Sequence, residues 1–354
     1  MIKLELPSNF QLIVHIGAGK AGSTSIQANL AANEAWLDEQ KTAYFGLLME
    51  RVAEKIYPWQ KNATLNSIAW LKDGQRLQAQ DELRQTLLKT IKKIAKQGYR
   101  RAIWSNETLL ETSDFIIPIL KDLIRAGVGV HIIAYIRRHD AWLQSAYLQW
   151  GIKHKTYNGP LQPFKVWSQN HLPNFSAKLE PWLTEKNWAD ISIRNFDAYD
   201  DVTKDFFIYY QLYDSSLKLT RSNKTPNDAC LALWALYNGQ FDGKVSPREL
   251  QPLLTKSGVF NSPIHDYELA ELLPDQSEID AIQIACADDR QRMDAIFSRF
   301  SQPPIPTGKI SVKQERVSQN QINAMLLLII KKQADDLQRL ENQLKALSQK
   351  VNSN

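Results

Sequence analysis

One lysine, three hydroxyl side chains and three glycines stand together in the segment 17–25, GAGKAGSTS. The hydroxyls are Ser23, Thr24 and Ser25, and the lysine is Lys20. Residues of these types suit an anion. An apolar run precedes them (Leu12, Ile13, Val14, Ile16), and the pattern of an amphipathic helix follows. A strand that turns on glycines into a helix start offers free backbone N–H groups at the positive end of the helix dipole. That is a cradle for phosphate-like groups. The segment therefore points to a nucleotide or another phosphorylated or sulfated ligand.

Which ligand depends on spacing. Gly17, Gly19 and Gly22 fit G-x-G-x-x-G, the dinucleotide fingerprint, and Thr42–Met49 reads as a second strand ending at the acidic Glu50. A phosphate loop of the Walker type needs its lysine directly after the last glycine, whereas Lys20 comes two residues before Gly22. A second motif lies more than a hundred residues on. Val130–Arg137 (VHIIAYIR) is a near-continuous apolar run, the signature of a buried parallel strand, and it ends in arginine. Asp140 follows as an N-cap, then a helix from about Ala141 to Ile152, with Ser145 eight residues after Arg137. Arg137 thus falls at the carboxyl end of a strand, where open α/β sheets bind ligands.

Lys20-Ala21-Gly22-Ser23-Thr24 after a strand, with His15-Ile16-Gly17 upstream, resembles the sulfotransferases that use 3′-phosphoadenosine 5′-phosphosulfate, and their bacterial branch in particular. Arg137 and Ser145 match the form of that family's 3′-phosphate motif. The resemblance covers about residues 10–225. It implies a P-loop-like sulfotransferase fold and transfer of a sulfuryl group from the nucleotide donor to a hydroxyl. Lys20, Ala21, Gly22, Ser23, Thr24 and Ser25 would hold the 5′ end, with Lys20 facing the leaving oxygen; Arg137 and Ser145 would hold the 3′-phosphate. Glu107, after the short strand Arg101–Trp104, is the first choice for the base that deprotonates the acceptor, and His15 is its competitor. The chain departs from the cytosolic branch in lacking a tryptophan after Ser23-Thr24 and an Arg-Lys-Gly segment near the C-terminus. Ser222-Asn223-Lys224 echoes a further family segment.

The elements that must position these residues alternate strand and helix patterns over the first ~210 residues, as an α/β protein with a central parallel sheet flanked by helices should. Ile191–Phe196 reads as another strand, a helical section starts within Asp205–Tyr213, and helix dominates to residue 300. This gives a catalytic domain over 1–300, a Pro-rich linker over 301–311 and a C-terminal helix over 312–354. In that helix Leu326, Ile330, Leu337, Leu340, Leu344, Leu347 and Val351 follow a 3-4 alternation broken at Gln333, the stripe of a short coiled coil. Residues 326–351 are therefore expected to make a homo-oligomer.

The 354 residues are 44% apolar and 23% charged, with a net charge of +5, so there is no strong nucleic-acid footprint. Cys230 and Cys286 show neither metal-type spacing nor a disulfide framework. No metal is expected. The N-terminal MIKLELPSNFQ lacks a basic–apolar–small pattern and no run of about 18 apolar residues occurs, so the expectation is a cytoplasmic chain without a membrane span. Ten tryptophans suit a glycan acceptor through stacking on sugar faces, Trp59 and Trp70 among them. Three rival readings remain: a P-loop kinase or NTPase, a nicotinamide-type oxidoreductase, and a non-catalytic nucleotide-binding scaffold that assembles through its C-terminal helix.

Overall fold

Parallel strands need helical crossovers to return the chain to the starting edge of the sheet, and this chain supplies one between each pair. The computed structural model describes residues 10–52, 57, 60, 73–184, 188–220, 228–239, 241–246, 269–310 and 318–352. The strands are β1 (Gln11–Gly17), β2 (Thr42–Tyr44), β3 (Arg101–Ser105), β4 (Gly129–Ile136) and β5 (Asp190–Asn195). They form one sheet in the order β2-β3-β1-β4-β5, with all neighbours parallel. The fold is α/β with a central parallel sheet flanked by helices.

In chain order the helices include α1 (Ser23–Ala32), α2 (Glu34–Glu39), α3 (Asp73–Lys96), α4 (Ser113–Arg125), α5 (His139–Ala146), α6 (Phe164–Ser168), α7 (Phe175–Leu183) and α8 (Val202–Tyr209). Successive strand residues point to opposite faces. Ile13, Ile103, Ile133 and Tyr135 face one core, closed by Ile26 and Leu30 of α1, Leu37 of α2 and Phe206 and Phe207 of α8. α4 packs on the other face, where its buried Phe115, Ile116, Ile119, Leu120 and Leu123 recur at helical spacing.

The chain divides into two compact units. The first comprises Met1–Trp142, Pro173–Lys224 and Ile284–Gly308 and holds the whole sheet. The second comprises Leu143–Leu172, Thr225–Gln283 and Lys309–Asn354. In it Tyr147 is buried against Phe164 and Trp167 of α6, and α9 (Asp228–Asn238) is tied by the Asn238 amide to the Ile152 carbonyl. The C-terminal helix Gln319–Asn352 packs on α9.

Several expected boundaries move. The strand expected over Thr42–Met49 stops at Tyr44, because Gly46 turns at φ +83° and the Glu50 carboxylate accepts from the N–H groups of Leu47 (2.9 Å) and Leu48 (2.7 Å). The helix expected to Ile152 is α-helical only to Ala146 and continues as a π-helical turn, Tyr147–Lys153. Gly151 sits inside it, where a Cβ would stand 2.3 Å from the Tyr147 ring. The Pro-rich stretch is held against the first unit rather than free. Pro303 and Pro304 carbonyls accept from the Asn195 amide, and Gln302 accepts from the Tyr199 hydroxyl. Residues 222–224, Trp59 and Trp70 lie outside the described residues. Among the described residues, no helix is long and apolar enough to cross a membrane.

Candidate functional site

β1 leaves the sheet toward the β2 edge, whereas β4 leaves toward β5. The space above their carboxyl ends is the switch point where ligands bind in such sheets. The 17–22 turn fills the start of it. Ala18 N–H donates to the Tyr135 carbonyl of β4 at 2.9 Å, extending the β1–β4 pairing past the last strand residue. Lys20 then takes a left-handed conformation (φ +63°), and Gly22 another (φ +87°, ψ 0°) as the N-cap of α1. Gly22, the N-cap, has no side chain with which to cap the helix start. A helix start without such a cap suits an anion seated in the turn. Ser23 and Ser25 are buried beside it, Thr24 is exposed, and Ala21 is wholly buried.

The second motif reaches this turn. Arg137, just past β4, donates from Nη1 to the Lys20 carbonyl at 3.3 Å and lies over the Phe196 ring, 5.1 Å from its centroid. Its Nε is buried without a hydrogen-bond partner. Burial pushes its pKa down, opposed by the nearby Asp197 and Asp140, and a guanidinium stays charged regardless. Trp142 of α5 donates from Nε1 to the Gly19 carbonyl at 2.7 Å and pins the turn from the same side. Ser145 is half-buried further along α5, past the point where that helix passes from the first unit into the second.

Arg138 differs from its neighbour. Its guanidinium forks onto Asp140 at 2.7 and 2.8 Å and reaches the Gly308 carbonyl at 2.7 Å. Asp140 thus pairs with Arg138 while accepting from the Ala141 N–H at 2.7 Å. Protein acceptors take up Nε and Nη2 of Arg138, whereas Nε of Arg137 is left buried without one.

Glu107 begins a short 3₁₀ turn after β3. Its backbone is pressed so closely on Gly17 that a Cβ there would lie 2.9 Å from the Glu107 carbonyl oxygen. Its carboxylate, partly exposed, accepts from Gln27 Nε2 of α1 at 2.7 Å. The structure thus brings Lys20, the α1 start, Arg137 and Glu107 to one end of three adjacent strands.

His15 is near in sequence but turned into the core. It is fully buried, hydrogen-bonds Ser105 Oγ through Nδ1 at 2.8 Å, and meets the rings of Tyr135 and Phe206 edge-on. Desolvation lowers its pKa to about 3, so it is neutral. His139 joins Asp289 at 2.7 Å, and that carboxylate also accepts from the N–H groups of Phe175 and Ser176. His131 meets Ser192 Oγ at 3.1 Å.

Gln27, Trp142, Phe196 and Asp197 are site-shaping residues that sequence reasoning missed. Only Trp142 left a signal there, standing five residues after Arg137 on the expected helix.

Comparison with known proteins is sparse. No family model matches the chain, and no curated protein does. Among solved structures it is similar to a sulfotransferase from Alicyclobacillus acidocaldarius, at 10% identity and a TM-score of 0.36 over 81% of this chain and 95% of that one. Another similarity is to a structure of the PezAT toxin-antitoxin system of Streptococcus pneumoniae, at 16% identity and a TM-score of 0.23 over 71% and 86%. Superpositions this loose say nothing of activity.

Proposed function

We propose that the chain is a sulfotransferase that moves a sulfuryl group from 3′-phosphoadenosine 5′-phosphosulfate to a hydroxyl acceptor, a carbohydrate hydroxyl by preference. One observation carries the reading. Arg137, from a motif 117 residues away, is hydrogen-bonded to Lys20 of the anion turn, with a buried Nε left to serve. A turn that offers backbone N–H groups and an arginine fork beside it suit a ligand with two separate anionic ends.

The donor supplies the sulfuryl group. The N–H groups at the α1 start and the hydroxyls of Ser23, Thr24 and Ser25 hold its 5′ end, and Lys20 steadies the charge that builds on the departing oxygen. Arg137 takes the 3′-phosphate. Ser145 joins it on the sequence pattern alone. Glu107 receives the acceptor's proton, oriented by Gln27; its partial exposure favours it over the enclosed His15. Catalysis of this kind comes from positioning and charge stabilisation. The C-terminal helix joins copies of the chain through residues 326–351.

Titration calorimetry with 3′,5′-bisphosphoadenosine, ATP with Mg²⁺, and NAD tests the binding half. The bisphosphate should bind and the other two should not. A labelled sulfate-transfer screen over glycans and small hydroxyl compounds tests the chemistry. Lys20→Ala should lower turnover by two or more orders of magnitude while the fold survives. Unchanged turnover in that variant sinks the assignment.

A further inference from the structure

A carbonyl turned into an anion site repels what the site holds, so the donors that draw the turn's carbonyls aside bear on its function. In a planar trans peptide the C=O and the following N–H point in opposite directions, and a partner for one sets the direction of the other. Within the turn, the Ala18 carbonyl accepts from the Ala21 N–H at 3.3 Å and the Gly22 carbonyl from the Ile26 N–H at 3.1 Å. The carbonyls of Gly19 and Lys20 are held from outside it. That of Gly19 accepts from Trp142 Nε1 at 2.7 Å, and that of Lys20 from Arg137 Nη1 at 3.3 Å. Both donors come from the second motif. The indole bond is the shorter, and a role in holding a 3′-phosphate does not explain it.

The indole has a fixed seat. Trp142 is buried and meets the Phe175 ring edge-on, with 5.6 Å between centroids. Phe175 is tied in turn. Its N–H donates to Asp289 on the helix Ala287–Arg299, and its ring packs on that of His139 at 5.1 Å. All of these residues belong to the first unit, together with the turn. An indole N–H also gives direction without adding charge, unlike the arginine beside it. The need for such a prop is visible at Lys20. Its φ of +63° lies in the left-handed region, which a residue other than glycine keeps only where its surroundings enforce it.

We propose that Trp142 is the positioning residue of the 5′ turn: by fixing the Gly19–Lys20 peptide it holds Lys20 in the orientation that receives the donor's 5′ end. The assignment rests on the sulfotransferase reading and adds that the second motif builds both ends of the nucleotide site. Arg137 serves the 3′ end directly, and Trp142 serves the 5′ end through the backbone.

Titration calorimetry and phosphorus NMR of 3′,5′-bisphosphoadenosine on the full chain test this. The ligand carries one phosphorus at each end, so each end reports separately. Trp142→Phe keeps an aromatic ring against Phe175 and removes the donor. It should weaken bisphosphate binding by about three- to tenfold, the range of one neutral hydrogen bond. In the complex the 5′ resonance should leave its wild-type position and the 3′ resonance should keep it. Adenosine 3′-monophosphate, which lacks the 5′ end, should bind variant and wild type alike. A residue that only filled space would move both resonances or neither. If Trp142→Phe disturbs the fold, benzothienylalanine at position 142 keeps the bicyclic shape, removes only the N–H and gives the same readout. Unchanged bisphosphate affinity in the folded variant overturns the proposal, as does a loss that displaces both resonances and weakens the 3′-monophosphate equally. A wild-type chain that binds no bisphosphate removes the sulfotransferase reading and this assignment together. A wild type and a variant that bind it equally well remove this assignment alone.

Discussion

Two adjacent arginines in one turn have opposite fates, and the difference is decided by partners. Arg138 spends its fork on Asp140 and its remaining reach on Gly308, so its removal should cost stability. Arg137 makes one long hydrogen bond and keeps a buried Nε unpartnered, so its removal should cost ligand binding. A hydrogen bond to a charged group contributes about 1.5–3 kcal/mol, hence Arg137→Ala should weaken bisphosphate binding by roughly ten- to a hundredfold in calorimetry. Glu107→Gln should behave differently, with bisphosphate affinity kept and turnover down by about 10²–10⁴, the usual worth of a general base. A variant that loses both equally would place Glu107 in binding instead. His15 makes its own prediction. Burial lowers its pKa from 6.5 to about 3, so between those values the unfolded chain takes up a proton that the folded chain refuses. Stability contributed by the neutral ring is therefore present above pH 6.5 and is lost as pH falls toward 3. Going from pH 7 to pH 5 should cost about 2 kcal/mol in urea unfolding through this residue, and His15→Asn should flatten that part of the slope.

At the level of elements, apolar runs broken only by His15 and His131 made β1 and β4 legible to within a residue or two, and the edge strand β5 was legible from the Ile191-Ser192-Ile193-Arg194 alternation. The anion turn was equally plain, because glycines before a helix start mark it locally. What could not be read was anything settled by distant partners. Glu50 suits the acidic end of a dinucleotide site by position, yet its carboxylate closes its own loop on Leu47 and Leu48. Gln27 looked like one more polar helix residue until α1 carried it to Glu107. The Asp289 carboxylate accepts from two backbone N–H groups at the start of α7 from more than a hundred residues away, and no local pattern announces that. The turn itself has a steric test at Gly22. A Cβ there would be strained by φ +87° and would sit 2.3 Å from Val202 Cγ2 on α8. Left-handed strain and overpacking each cost about 1–3 kcal/mol. Gly22→Ala should lower stability by that order and abolish bisphosphate binding. Adding Val202→Ala should restore part of the stability without the binding, because only the clash is relieved. Full recovery of binding would show that the turn's conformation does not matter to the ligand.

For the whole molecule, the question is what the C-terminal helix is for. Its 34 residues run about 51 Å at 1.5 Å per residue, more than any single contact with α9 needs. Ile322 near its start is buried, whereas Leu337, Leu340, Leu344 and Leu347 are 60%, 52%, 66% and 59% exposed. Isolated exposed leucines are ordinary, but four at 3-4-3 spacing form a continuous stripe on one face. The neighbouring positions carry Asp336, Arg339, Glu341 and Lys345, so beyond Ile330 this helix is polar off the stripe apart from two alanines. A helix that simply folded back on its own unit would bury such a seam. A second copy of the same helix would bury it by interleaving leucine with leucine, and the polar Gln333 within the repeat would then fix the register. Sedimentation equilibrium should accordingly find dimers or trimers of the full chain, and Leu340→Glu/Leu344→Glu should yield monomers. Because neither leucine belongs to the unit that holds the anion turn, the monomeric variant should keep its affinity for the bisphosphate. A wild-type chain that sediments as a monomer at tens of micromolar would remove assembly from the account and leave the stripe for another occupant.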